Sequence, residues 1–260
     1  MQIGLIGSGN MARALARGWD RPVLCADPVG ERARALVAEV GGEALASNAE
    51  VARRADLVVL CHKPAQLDDV AAQVAPHARA VASILAATPL LALKRAYPEK
   101  PAYRFLPSLP AEARAGAIVC AADPWAEREQ HAWGRSLELD EQVRQLFAEL
   151  GLLVELPDEL VDVAMGLMSC GPAYVALVAE AQIDAGVRRG IPAAQGAELV
   201  VATLAGTAEL LRRRAGDTHA IRREVASPGG VTARGLDALE RAGLRAAFSD
   251  ALDAVLGERR

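Results

Sequence analysis

The chain has 260 residues, 52% of them hydrophobic and only 3% aromatic, so its core must be built from closely packed Ala, Leu and Val. A formal net charge of −4 gives no electrostatic basis for nucleic-acid binding. Four cysteines, Cys25, Cys61, Cys120 and Cys170, lie far apart without a C-x-x-C pair, which excludes a disulfide framework or zinc site read from spacing; no metal is expected.

Ile3 to Ile6 reads as a short buried strand. Gly7-Ser8-Gly9-Asn10-Met11-Ala12 then turns into a helix with Ala14, Leu15 and Gly18 on one face. Strand, glycine-rich turn and helix together are the context in which G-x-G-x-x-G/A reads as a dinucleotide fingerprint. Gly7 permits the tight turn, Gly9 lets backbone approach a pyrophosphate, and Ala12 lets the helix pack close to the strand. The unpaired N–H groups and dipole of the helix N-terminus favour phosphate. A second strand, Val23 to Ala26, ends at Asp27, about twenty positions after Gly7, where an acid can accept from a ribose 2′-hydroxyl. Asp27 also suits a plain turn before Pro28. In the first reading it repels a 2′-phosphate and leans the chain toward NAD. Arg32 and Arg34 could still reach such a phosphate, so NADH and NADPH both stay open.

Residues 30–40 read as a helix ended by Gly41-Gly42, and Ser47 or Asn48 as the N-cap of a helix through Arg54. Leu57 to Cys61 is apolar on both faces, as in a central parallel strand, and its carboxyl end, His62-Lys63-Pro64, should face a cofactor. A helix over 66–75, strands over 80–86, 102–106 and 116–121, a helix over 140–150 and a last strand over 152–156 follow. Beyond Leu160 the signals are helical: 160–187 with Pro172 inside it, 193–214, then a helix from Thr232 and a final one after Gly243. The Arg212-Arg213-Arg214 run reads as a solvated helix C-terminus. The expectation is an α/β Rossmann-type dinucleotide-binding domain over 1–158 and an all-α dimerisation domain over 159–260. Helices this apolar expose more hydrophobic face than a small bundle buries, which points to an oligomer. An N-terminus opening directly into a strand, with no uninterrupted apolar run of membrane-spanning length, points to a cytoplasmic chain without a membrane partner.

The segments GLIGSGNMARAL, LCHKPAQL, SCGPAYVALVAEAQIDAGVRRGI and REVASPGGVTARGLDALERAGLR resemble the pyrroline-5-carboxylate reductase family, in order and over essentially the whole chain. The resemblance implies NAD(P)H held through Gly7, Ser8, Gly9, Asn10 and Met11, with Lys63 and Pro64 beside the nicotinamide ribose and His62 in the same loop. It implies a cyclic imine carboxylate as substrate, helix exchange with a partner subunit, and dimers or rings of dimers. Thr232 matches the threonine whose hydroxyl faces the imine nitrogen.

The chemistry asks little more. A cyclic iminium arrives protonated, so the protein must orient the ring, shield it and hold its carboxylate. The Ser227-Pro228-Gly229-Gly230 turn can offer helix N-terminal N–H groups to that carboxylate, or be only an N-cap with Ser227 or Thr232 capping. None of the histidines has a carboxylate at telling spacing: His77 and His131 read as surface residues, His219 as a loop residue, and His62 more as a local structural group than a catalyst.

The chain also departs from the family pattern. Ser108 stands where an amide is usual beside nicotinamide and substrate, and Leu109 where a hydroxyl is usual. Ser169-Cys170-Gly171-Pro172 replaces a glycine-serine-glycine-proline run, and Val231 replaces a threonine. These changes make the pocket less polar. They admit three readings: drift around intact proline synthesis, a larger or more apolar cyclic imine, or a nucleotide-binding regulatory protein without activity. Retention of Lys63, Gly229, Gly230 and Thr232 argues against the last. A β-hydroxyacid-dehydrogenase-like enzyme is a further alternative, but it wants a lysine on the helical domain and none follows Lys100.

Overall fold

The computed structural model describes residues 1–124 and 135–257. It divides into two compact units, Met1–Pro172 and Ala173–Arg260. The strand signals stop near residue 158, but the helical turns that follow pack on the sheet, so the first unit continues to Pro172.

The first unit is built on one sheet of eight strands: β1 (Ile3–Ile6), β2 (Val23–Ala26), β3 (Gly42–Ala44), β4 (Leu57–Leu60), β5 (Val81–Ser83), β6 (Ala102–Pro107), β7 (Gly116–Ala121) and β8 (Gly151–Leu156). Their order is β3-β2-β1-β4-β5-β6-β7-β8. Every pairing is parallel except β6 with β7. Five helices of the winding are α1 (Asn10–Trp19), α2 (Gly30–Val40), α3 (Asn48–Arg54), α4 (Leu67–Val74) and α5 (Leu90–Ala96), and α6 (Leu137–Ala148) joins β7 to β8.

Alternation along the strands explains the two-faced packing. In β4, Leu57 and Val59 join a core with Leu15, Trp19, Leu36 and Phe147. Val58 and Leu60 join the opposite core with Val51, Val70, Val74 and Leu93. Scarce aromatics are concentrated in the first of these. Phe105 stacks on Phe147 at 3.8 Å, Trp19 meets Phe147 edge-on at 5.6 Å, and the Trp19 indole donates to the Leu146 carbonyl at 2.8 Å.

Several elements differ from the sequence reading. β3 is a three-residue edge strand, too short and polar for an alternation signal, that pairs through Gly42 with Val23. The helix α5 follows Pro89 where no helix was expected. The strand expected over 80–86 shortens to β5. Ser47, not Asn48, caps α3 by accepting from the Glu50 N–H at 3.2 Å. Cys61 falls just past β4 rather than within it.

A helix α7 (Asp158–Ala164) and a π-helical turn (Met165–Ser169) lead into α8 (Gly171–Val187). The stretch Asp158–Val187 is long and apolar enough, by length and composition, to cross a bilayer, with a mean hydropathy of 1.6 in its most apolar window. This corrects the expectation that no run reaches that length. Pro172 falls in the first turn of α8, where it is tolerated, and no charge interrupts Val163 to Ala179.

The second unit continues α8 and adds α9 (Ala193–Arg213), α10 (Thr218–Val225), α11 (Val231–Arg241) and α12 (Leu244–Leu256). The helix α10 places His219 in a helix rather than a loop. Arg212 and Arg213 end α9 in solvent as expected, paired with Glu209. Among its described residues only Gly196 is buried. Leu177, Leu199, Val201, Val225 and Phe248 are exposed. The described residues of these helices thus leave extended apolar faces uncovered and bury no apolar side chain of their own.

Candidate active site

The carboxyl ends of β1, β2 and β4 converge on the glycine turn. The Gly7 N–H donates to Ala26 O at 2.8 Å and the Cys61 N–H to Ile6 O at 2.9 Å. Gly7 has φ +100°, and a Cβ there would lie 2.9 Å from Cys61 O and 3.3 Å from His62 N. Only glycine satisfies both the backbone and this approach, which seats the turn directly against the peptide leading into His62-Lys63-Pro64. Gly9 is the N-cap of α1, exposed, with nothing within 4 Å of a Cβ position, and no side chain caps the helix. The N–H groups of Asn10, Met11 and Ala12 therefore lack an intrahelical acceptor, and the space beside Gly9 is open, an arrangement suited to an anion. The Met11 side chain packs on the core, leaving its backbone as the group that can serve a phosphate.

Asp27 ties this loop to β2. Its Oδ2 accepts from both the Ser8 N–H and the Ser8 hydroxyl at 2.9 Å, and its Oδ1 accepts from the Val29 N–H at 2.8 Å. The Val29 bond makes Asp27 the turn residue of one reading, and the Ser8 bonds bring it to the phosphate loop as the other requires. Burial opposes its ionisation, but the Ser8 and Val29 hydrogen bonds and nearby Arg32 outweigh it and hold the carboxyl below its ordinary range.

Across the turn, the His62 Nδ1–H donates to Lys63 O at 2.9 Å while Nε2 is buried without a protein partner. Burial lowers its pKa, opposed by that bond, so the ring is neutral at pH 7. Lys63 and Pro64 are exposed, and the Lys63 N–H is held by the Gln66 side chain at 3.2 Å. Burial raises the thiols of Cys25, to about 12, and of Cys61, so neither is a nucleophile.

Ser108 directly follows β6 and is buried. Its hydroxyl accepts from the Ala117 N–H at 2.9 Å, and its own N–H donates to Ala117 O at 3.0 Å. The residue thus seals the antiparallel β6–β7 junction, a structural role that the sequence could not show because the partner is nine residues away. Leu109 beside it is 44% exposed.

The remaining sequence-predicted residues belong to the second unit. Ser227 to Gly230 form a β-turn: the Gly230 N–H donates to Ser227 O at 3.0 Å, with Pro228 second and Gly229 at φ +71° third. Gly230 is the N-cap of α11, and no side chain caps it, which corrects the assignment of that role to Ser227 or Thr232. A glycine cap leaves the first N–H groups of α11 to an outside acceptor. Thr232 is partly buried, whereas Val231 is 75% exposed.

A cavity of about 850 Å³ in the first unit is lined by none of the sequence-predicted residues. Most of its charged groups pair with one another, although Arg104 Nε is buried without a hydrogen-bond partner. Arg104, 1% exposed, donates to Asp158 Oδ1 at 2.7 Å and Asp162 Oδ1 at 2.6 Å. Arg135 pairs with Asp123 at 2.6 Å and Asp140 at 3.2 Å, and Arg144 pairs with Glu155. These pairs hold α6, α7 and the strand ends together, so we assign the cavity a structural character. Arg104 was visible in the sequence only as part of a strand-end motif; its clamp needs carboxylates more than fifty residues downstream.

His77 is exposed and contacts Arg53, while His131 lies outside the described residues. Among the described residues no three His, Cys, Asp or Glu side chains are grouped as a metal would require.

Comparison with known proteins adds the family context. A family model described as pyrroline-5-carboxylate reductase dimerisation matches residues 158–260, and one described as NADP oxidoreductase coenzyme F420-dependent matches residues 2–87. The pyrroline-5-carboxylate reductase of Synechocystis is 34% identical, covering 98% of this chain and 96% of its own. That of Thermus thermophilus is 33% identical with the same coverages. Among solved structures, 1-pyrroline-5-carboxylate reductase of Streptococcus pyogenes superposes with a TM-score of 0.87 at 28% identity, covering 99% of this chain and 97% of that one. The Plasmodium falciparum pyrroline carboxylate reductase with NADP bound has a TM-score of 0.85 at 24% identity, with 98% and 95% covered, a likeness of fold.

Proposed function

Because this chain belongs to the pyrroline-5-carboxylate reductase family, we propose that it reduces 1-pyrroline-5-carboxylate to proline with NADH or NADPH. The observation carrying this reading is the convergence of three strand ends on an uncapped, open helix N-terminus at Gly7–Met11.

The residues present fit a dinucleotide. Space above Gly9 and the free N–H groups of α1 suit a pyrophosphate, and Asp27 lies on the loop that would carry the adenosine ribose. When bound, NAD(P)H supplies the hydride. His62, Lys63 and Pro64 line the adjoining strand end, and Ser108 stabilises the β6 terminus on the same sheet. Gly229, Gly230 and Val231 present the N–H groups at the start of α11 to the substrate carboxylate, with Ser227 fixing the turn. The Thr232 hydroxyl oxygen accepts from the N–H of the protonated imine, one hydrogen bond that orients the C=N bond. No side chain need supply a proton to an iminium that arrives protonated. The two sets of residues sit on different units. The uncovered helices of the second unit match the dimerisation model and take a second copy, with each site completed between chains and dimers closing into a ring. We place the enzyme in the cytoplasm.

A second reading is favoured by the exposure of two apolar replacements, Leu109 and Val231: a cyclic imine larger or more apolar than pyrroline-5-carboxylate. NADH and NADPH oxidation by the purified protein decides, with pyrroline-5-carboxylate, its six-membered homologue and an aryl-substituted cyclic imine. Fast turnover of pyrroline-5-carboxylate is expected. Turnover of another imine alone would favour the second reading, and turnover of none would refute both.

A further inference from the structure

Asp27 bears on which of the two nucleotides is used. Its carboxylate receives three donors, two from Ser8 and one from Val29. A carboxylate has about four acceptor positions and no donor, so one acceptor position is left for a ligand. The group is ionised at neutral pH, since its hydrogen bonds and Arg32 overcome the effect of burial.

A pyrophosphate on the N-terminus of α1 carries its adenosine ribose toward the end of β2. The ribose of NADH offers a 2′-hydroxyl, a donor that matches the free acceptor position. The ribose of NADPH offers a 2′-phosphate, which has only acceptors at neutral pH and the same sign of charge as Asp27. Arg32 and Arg34, exposed in the first turns of α2, are the cations that could offset this charge. They are not equivalent to Asp27 in fixity. Among the described residues neither makes an ion pair or a hydrogen bond that would hold its guanidinium, whereas Asp27 is held at both oxygens. Moving it aside would strip the partner from the Ser8 N–H in the phosphate loop itself. A fixed repulsion therefore faces a mobile attraction.

We propose that Asp27 is the specificity-determining residue of this chain and makes it prefer NADH, accepting the ribose 2′-hydroxyl while anchoring Ser8. The proposal rests on the dinucleotide reading of the Gly7–Met11 turn. The test is the dissociation constant of NADH and of NADPH, measured by nucleotide fluorescence on the purified full chain without imine. NADH should bind at least about tenfold more tightly, as a like-charge contact requires. Asp27→Ser removes the charge and should bring the ratio close to one or reverse it. Ser8→Ala keeps the charge and should weaken both nucleotides alike with the ratio intact. If Asp27→Ser does not fold, Asp27→Asn is read in the same way. Equal or tighter binding of NADPH by the wild type, or a ratio unchanged in a folded Asp27 variant, overturns the proposal. Binding of neither nucleotide overturns the dinucleotide reading itself, and the proposal with it.

Discussion

Arg104→Met tests the clamp that seats α7 on the sheet. The substitution keeps most of the aliphatic stem and removes the guanidinium, which is 1% exposed and donates to Asp158 O, Asp158 Oδ1 and Asp162 Oδ1 at 2.6–3.0 Å. Removing one partner of a buried ion pair costs about 3–5 kcal/mol, mostly for the charge left behind. Here the stranded carboxylates are 24% and 31% exposed, so water screens part of that cost. Each also keeps a backbone donor, the Leu90 N–H for Asp158 at 2.9 Å and the Ala87 N–H for Asp162 at 3.2 Å. The low end applies, about 3 kcal/mol. Urea unfolding at several protein concentrations gives the midpoint and separates subunit dissociation from the loss of the clamp. A double-mutant cycle with Asp162→Asn should show a coupling of about 1–2 kcal/mol. A loss below about 1 kcal/mol, the range of surface pairs, would refute the description of Arg104 as a buried clamp.

Other predictions concern the site. Gly7→Ala places a Cβ 2.9 Å from Cys61 O at φ +100°, costing about 2 kcal/mol in conformation alone before the clash; NADH affinity should fall with stability, and a fully stable, tightly binding variant would contradict the packing. Thr232→Ala should lower kcat about tenfold, one hydrogen bond's worth, while the NADH dissociation constant holds; an unchanged kcat would remove Thr232 from the chemistry. Asp27 has a depressed pKa in the folded state, so its contribution to stability is complete above its unfolded value of about 4 and fades as the pH falls through the folded one. Asp27→Asn should flatten the stability profile below about pH 4, and a profile with the wild-type slope there would show that Asp27 gains nothing from Ser8 and Val29.

Local sequence signals identified the parts of this protein that local physics controls. The apolar run of β4, with its residues dividing between two cores, could only be a strand covered on both sides. The Gly7–Ala12 turn announced a strand–turn–helix because glycine and small residues are required there in any tertiary setting. Family membership was legible from four segments spread over the chain. Elements whose stability comes from distant partners were not legible. The strand β3 exists because β2 offers it an edge, whereas α10 does carry local signals, an apolar face and the Asp217 N-cap, but in only eight residues.

The same division runs through the site. Asp27 could be named from its spacing, but its bonds to Ser8 depend on how β1 and β2 lie side by side. Ser108 could be named from its motif, yet the neighbouring strand puts its hydroxyl on Ala117 N–H. The sequence by itself determined which residues can carry the chemistry, since glycine, aspartate and threonine have those capacities wherever they stand. The tertiary structure alone decided their partners, because a hydrogen bond or ion pair requires two groups within about 3 Å, and chain separation says nothing of that distance. For Arg104 and Asp158, fifty-four residues apart, only the folded sheet closes the gap.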